Sequence, residues 1–230
     1  MAMRKRVFLW SHPRALSTVF ELYFEARGDF DIVHEPFADV YWRGQSYEAV
    51  KRYVAEQCRE NNVFIKDIAH HAFEWLVKDE SFLTMFTHTF LVREPKKTVL
   101  SHYRVNPGFT QTEVGYEKLY LLFERVREVC GYTPIVVCAD ELEQAPRRVF
   151  QAYCYSLDIP FLARALSWKQ GIRERWKAGT VWQKKVSQTT TVVYNLSRYP
   201  EVIELPNHLM HIYEYHLPYY RKLMEHKMPI

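Results

Sequence analysis

Five short apolar runs, at 7–10, 31–33, 63–66, 89–92 and 134–138, alternate along the chain with helix-forming stretches at 17–26, 47–60, 73–84, 96–103, 114–130 and 145–156. This order is the strongest constraint the sequence places on a fold. Strands separated by helices do not pair as hairpins; they join through right-handed crossovers into a parallel sheet with helices packed on its faces. The expected fold class is therefore α/β, a central parallel sheet flanked by helices. After Pro160 the strand signal fades and a helical, aromatic-rich C-terminal part is expected, with Trp168, Trp176 and Trp182. At 230 residues and 48% hydrophobic content, the chain suffices for one substantial core and is short for two. Residues 1–230 are expected to form a single domain.

Open parallel sheets bind ligands at the carboxyl ends of their strands. The residues that leave each apolar run therefore matter most. The first run leads into His12-Pro13-Arg14-Ala15-Leu16-Ser17-Thr18 and then directly into helix. A helix start offers unpaired N–H groups and the positive end of the helix dipole, and Arg14, Ser17 and Thr18 add a cation and two hydroxyls. A phosphate or sulfate fits such a turn, although any strand-to-helix turn also uses hydroxyl caps. A second run, 89–92, releases Arg93, with Pro95 at a favoured helix start and Ser101 eight residues after the Arg. Ser101 lies almost two turns into that helix, so it shares an anion with Arg93 only if the loop folds back.

This pairing resembles the PAPS-dependent sulfotransferases, the P-loop sulfotransferase-like enzymes of the soluble bacterial and plant-type branch. Their 5′-phosphosulfate loop reads like Pro-Lys/Arg-Ser-Gly-Ser/Thr-Thr, matched here by Pro13-Arg14 and Ser17-Thr18; Arg93 and Ser101 match their 3′-phosphate motif. The likeness continues through Val136-Val137-Cys138-Ala139-Asp140-Glu141-Leu142, Pro146 and the stretch 154–161, and spans about 5–162. It implies a P-loop sulfotransferase-like fold and transfer of a sulfuryl group from 3′-phosphoadenosine-5′-phosphosulfate (PAPS) to a hydroxyl or amine of a small acceptor, without a metal. In that reading Arg14, Ala15, Leu16, Ser17, Thr18, Arg93 and Ser101 bind the donor. Arg14 also stabilises the leaving phosphate oxygen.

The departures are informative. Ala15 and Leu16 stand where many members carry Ser and Gly, so the loop is expected to be less free to adopt positive φ. Val19 replaces an adenine-stacking Trp of cytosolic members. The loop lacks the Gly-x4-Gly-Lys-Ser/Thr of P-loop ATPases, which argues against ATP. Three other readings stay open: a small-molecule kinase, ionisation of an isoprenyl diphosphate in an aromatic pocket, and a nucleotide-binding module without turnover.

A general base for the acceptor is offered by His70, which follows the run 63–66 and Lys66-Asp67, or by Glu35 in His34-Glu35-Pro36-Phe37. His71 and His34 are secondary candidates, and each His has an ordinary structural reading as a cap or core residue. Lys66 and Asp67 are expected either to pair with one another or, through Lys66, to orient the acceptor. Tyr41-Trp42 and Trp168 would line an acceptor pocket suited to a small apolar alcohol, phenol or amine. The densest basic stretch, 170–179 with Lys184 and Lys185, reads as a solvated face or as a loop closing over the nucleotide.

A net charge of +4 and a pI near 8.8 suit a polyanionic nucleotide, but the basic residues are scattered and no nucleic acid is expected. No apolar run reaches the roughly 18 residues of a membrane span, and Met1-Ala2-Met3-Arg4-Lys5-Arg6 leads into a strand. No membrane association and a cytoplasmic location are expected. Four dispersed cysteines predict reduced, mostly buried thiols. Nothing in the sequence indicates an oligomeric state.

Overall fold

The computed structural model describes residues 4–192 and 204–230, without the side chains of 177–180; Met1–Met3 of the basic leader lie outside the described residues. Among them, five strands form one parallel sheet: β1 (Arg6–Ser11), β2 (Asp31–His34), β3 (Val63–Ile68), β4 (Thr87–Val92) and β5 (Ile135–Cys138), in the order β2-β3-β1-β4-β5. All five expected strands are present. β1 is central and buried on both sides, which is why Val7-Phe8-Leu9-Trp10 is apolar without interruption. Successive side chains still alternate: Phe8 and Trp10 enter one core, Val7 and Leu9 the other.

On the Val7/Leu9 side lie α1 (Ser17–Arg27) and α10 (Pro146–Ser156), meeting through Phe20, Tyr23, Phe24, Phe150 and Tyr153. On the Phe8/Trp10 side lie α3 (Tyr47–Gln57), α6 (Pro95–Tyr103), α8 (Tyr116–Cys130) and α12 (Met210–Met224). Two expected helices are broken. The stretch 73–84 divides into α4 (Phe73–Leu76) and α5 (Glu80–Leu83), because the Asp79 carboxylate caps a new start at Phe82 N–H. The stretch 114–130 begins instead with α7 (Gln111–Val114), which stops at Gly115 at φ 79° before α8 starts. The six-residue helices α2 (Ala38–Arg43) and α9 (Ala139–Gln144) are too short to carry a periodic signal.

Between Pro160 and Val192 the described residues run through short 3₁₀ turns and α11 (Thr180–Gln183), with an isolated antiparallel bridge between Ser167 and Thr191, and the helical end expected of the chain is α12. The C-terminus returns to the sheet, where Met228 N–H donates to Val136 O at 2.9 Å. The four cysteines are unpaired thiols, three buried and Cys130 half-buried.

Candidate active site

The β1–α1 loop sits at the carboxyl edge of the central strand, and its backbone is strained. Arg14 (φ 65°) and Leu16 (φ 69°) both occupy the left-handed region without being glycine, at a cost of about 1–2 kcal/mol each. The loop thus takes the conformation that its lack of glycine argued against. Surrounding contacts hold it there. Arg14 Nε donates to Ser101 Oγ at 3.1 Å and Nη1 to Trp182 O at 3.1 Å, while the Arg14 carbonyl accepts from Arg93 Nη1 at 3.2 Å. Ala15 is fully buried in the α1-side core, away from the cavity that its neighbours line.

The two anion motifs are therefore one cradle. Ser101 lies on Arg14 and Arg93 lies under it. Arg93 also donates Nη2 to Glu143 at 2.7 Å and is almost fully buried. A residue that sequence reasoning missed joins the two loops. His12 donates Nδ1–H to Pro13 O at 2.8 Å, accepts Arg93 N–H on Nε2 at 3.1 Å, and stacks on Tyr116 at 4.0 Å. Burial pushes its pKa down to about 3, so the ring is neutral, as an Nε2 acceptor must be. Asp140 completes the support by accepting Glu94 N–H at 2.9 Å and pairing with Lys97 at the start of α6.

Across the cavity, the end of β3 carries Lys66 and Asp67, and the 3₁₀ turn Ala69–His71 that follows it carries His70 and His71. The expected Lys66–Asp67 pair is replaced by two others. Lys66 grips Glu35, and Asp67 accepts three N–H donors: Ile68 N–H and His71 Nδ1–H on Oδ1, and Phe37 N–H on Oδ2, each at 2.7 Å. Their β3 neighbours point to opposite faces, so adjacent residues are poorly placed to pair. Burial raises the Glu35 carboxyl, but Lys66, His34 and His71 outweigh it and hold the pKa at about 2. His70 is buried, and burial followed by the His71 charge pushes it well below 6.5. Its Nδ1 has no hydrogen-bond partner, and a Cβ at Gly115 would come within 3.2 Å of it.

Glu21 is a second residue not singled out from sequence. It is fully buried in α1 and accepts from His34 Nδ1 at 2.6 Å, Trp176 Nε1 at 2.7 Å and Arg175 Nε. Burial alone would raise its pKa; His34 and Arg175 bring it to about 2. The signal was a lone carboxylate inside Phe20-Glu21-Leu22-Tyr23-Phe24, which must be paired if that face is buried. Arg173 pairs with Glu25 at 2.9 Å and Arg175 with Glu21 and Glu25, so the two arginines of the basic stretch are hooked onto α1, whereas Lys184 and Lys185 are exposed.

A cavity of about 840 Å³ lies between these walls. Arg14, Leu16, Ser17, Thr18, Arg93 and Ser101 face it from one side; Glu35, His70 and His71 face it from the other. Arg175, Trp182 and Lys185 of the late segment also line it, with the Arg14 guanidinium 5.7 Å from the Trp182 ring centroid. Trp42 reaches the cavity and Tyr41 packs on His70 at 4.9 Å, but Trp168 does not take part. It is buried in the core with Nε1 donating to Thr189 O at 3.1 Å. Among the described residues no group of three or more His, Cys, Asp or Glu side chains is placed to hold a metal, and no helix is long and apolar enough to cross a membrane.

A family model described as "Sulfotransferase domain" matches residues 5–224. Two curated relatives from Arabidopsis thaliana, branched-chain-amino-acid aminotransferase-like proteins 1 and 2, are 27% and 23% identical over 98% and 96% of this chain. The chain spans less than half of their length, 43% and 42%. Solved structures share the fold at low identity. A sulfotransferase domain from the Synechococcus PCC 7002 olefin synthase superposes with a TM-score of 0.60 at 15% identity, over all of this chain and 98% of that one. A sulfotransferase domain from the curacin biosynthetic pathway gives 0.56 at 12%, over the whole of both chains. A mouse sulfotransferase complexed with PAP gives 0.57 at 13%, over 97% of this chain and 90% of that one.

Proposed function

The chain belongs to the sulfotransferase-domain family, and from that premise we propose that it moves a sulfuryl group from PAPS to a hydroxyl or amine of a small acceptor. The observation that carries this reading is the single cradle in which Arg14, at a helix start, meets Ser101 on one side and Arg93 beneath. Sulfuryl transfer puts charge on the bridging oxygen of the leaving nucleotide, so its catalysis is mainly positioning and charge stabilisation. Arg14 is the group for that oxygen. The backbone N–H groups and hydroxyls of Ser17 and Thr18 hold the 5′-phosphate, with the dipole of α1 behind them. Arg93 and Ser101 take the 3′-phosphate, the feature that separates this donor from ATP.

The acceptor enters from the side of Trp42, Glu35, His70 and His71, where apolar and polar groups are mixed. That lining suits a small molecule with an aromatic or aliphatic body and one reacting hydroxyl or amine. Calorimetric titration with 3′-phosphoadenosine-5′-phosphate (PAP), ADP and a prenyl diphosphate, each with and without Mg²⁺, tests the reading. Metal-independent preference for PAP is expected. Equal affinity for ADP, or preference for the prenyl diphosphate, overturns it.

A further inference from the structure

We propose that the acceptor is a short amino alcohol, its ammonium group held at the Trp42 end of the cavity by Tyr41, Trp42 and Glu113 and its hydroxyl turned toward Arg14. The assignment rests on the sulfuryl-transfer reading above and names the acceptor's class.

Among the described residues four carboxylates line the cavity: Glu35, Asp39, Glu113 and Glu143. Three are answered by cations, Glu35 by Lys66, Asp39 by Arg43 at 3.1 Å and Glu143 by Arg93 at 2.7 Å. Glu113 has no such counter-ion among the described residues. Its Oε2 accepts Thr110 N–H at 2.6 Å and the Thr110 hydroxyl at 3.0 Å, closing the capping box of α7, and these bonds bring no positive charge. His102 feels the Glu113 charge but does not neutralise it, because burial pushes its pKa down to about 4. The His102 Nδ1 is buried and has no hydrogen-bond partner. One wall of the cavity thus carries a carboxylate without a counter-ion and a ring nitrogen without a partner.

The aromatic pair beside that wall suits a cation. Tyr41 and Trp42 stand at 90° to one another with ring centroids 4.7 Å apart, forming two sides of a box, and both are exposed. Burial, and then the Glu113 charge, raise the Tyr41 phenol pKa, so the carboxylate acts on this corner. Aromatic faces attract an ammonium ion, and a nearby carboxylate supplies the opposite charge. A neutral body gains only contact there, and an anionic one meets Glu113 as a like charge. Tyr41 also limits the acceptor's length. Its ring lies 4.9 Å from that of His70 and 5.7 Å from that of His71, so an ammonium on Tyr41 leaves room for a short chain before the hydroxyl reaches the histidines. Charge is then complementary across the whole site, with the donor's phosphates at Arg14 and Arg93 and the acceptor's cation at Glu113.

Calorimetry on the PAP-saturated protein tests the box with choline and its neutral isostere 3,3-dimethylbutan-1-ol. Choline is expected to bind about tenfold more tightly. Glu113→Gln removes the charge with a side chain that still closes the capping box, and Trp42→Ala removes one side of the box at an exposed position. Each is expected to cut the choline preference by about threefold or more while PAP affinity holds at the parent's value. Equal binding of the two alcohols by the parent, or an undiminished preference in either variant, overturns the ammonium box. A parent protein that does not prefer PAP to ADP defeats the sulfuryl-transfer reading instead, and the acceptor assignment with it.

Discussion

The two walls of the cavity are built differently. The wall carrying Arg14 is held through its main chain as well as by side-chain pairs: a strained loop whose carbonyl accepts from Arg93, and an Arg93 N–H seated on the neutral ring of His12. The facing wall is held by side chains, with Glu35 on Lys66, His71 on Asp67 and Glu21 on His34 and Arg175. A main-chain cradle recognises whatever anion fits its N–H groups and tolerates little movement. A side-chain network can be re-cut one residue at a time, so in the sulfuryl-transfer reading proposed above the donor contacts fall on the first wall and the acceptor contacts on the second.

The largest effect is expected from Arg14→Ala. Loss of a preorganised donor at a developing oxyanion lowers kcat by about 10²–10³-fold, read by PAP release under saturating PAPS. Arg14→Lys should recover only part of this, because a point charge replaces a planar fork that also reaches Ser101 and the Trp182 carbonyl. Full activity in Arg14→Lys would show that the wall supplies charge alone. Next in size is Arg93→Ala. Removing a charge-assisted contact should weaken PAP binding by about 1.5–3 kcal/mol and leave ADP binding less affected. Equal weakening for both nucleotides would mean that Arg93 serves only to support the Arg14 carbonyl.

The main-chain wall was the more legible of the two. The succession of strands and most helix starts follow from local pattern, since a strand-loop-helix unit is contiguous in sequence, and Arg14, Ser17, Thr18, Arg93 and Ser101 stand out as candidates for the same reason; the lateral order β2-β3-β1-β4-β5 does not. What was not legible is pairing at a distance. His12 meets Arg93 across 81 positions and Glu21 meets Trp176 across 155, and no periodicity encodes either. The Lys66–Asp67 expectation failed for the same reason: nearness in sequence suggested a pair that the alternation of a strand prevents. Trp168, an aromatic in a region without pattern, went to the core because burying it gains more than exposing it in a pocket.

Acid should loosen the walls in sequence. His12 at about 3 and His102, a cavity-lining residue of α6, at about 4 lie below the ordinary 6.5 because burial disfavours their charged forms, so the unfolded chain binds those protons first. Their contribution is complete above pH 6.5 and is lost as pH falls toward 3–4. Glu21 and Glu35 at about 2, below an ordinary 4.5, add a second loss between those values. The melting temperature should thus be level above pH 6.5, fall below it, and fall more steeply below 4.5. A level profile down to pH 4.5 would show that the histidines on the Arg14 side accept charge without cost, and that the two walls do not differ in this respect.

The smallest expected effect isolates the strain in the cradle. Leu16→Gly removes the left-handed penalty at φ 69°, worth about 1–2 kcal/mol. It also adds backbone freedom to the unfolded chain, about 0.5–1 kcal/mol, and deletes a half-buried side chain that packs against the α1-side core. The gain and the two losses nearly cancel, so stability should change by less than about 1 kcal/mol. Arg14 depends on the loop's shape rather than on the Leu16 side chain, so PAP affinity should hold. A large loss of affinity with unchanged melting would show that the strained leucine fixes the cradle's shape in a way that a freer glycine cannot, and that the main-chain wall derives its rigidity from a side chain after all.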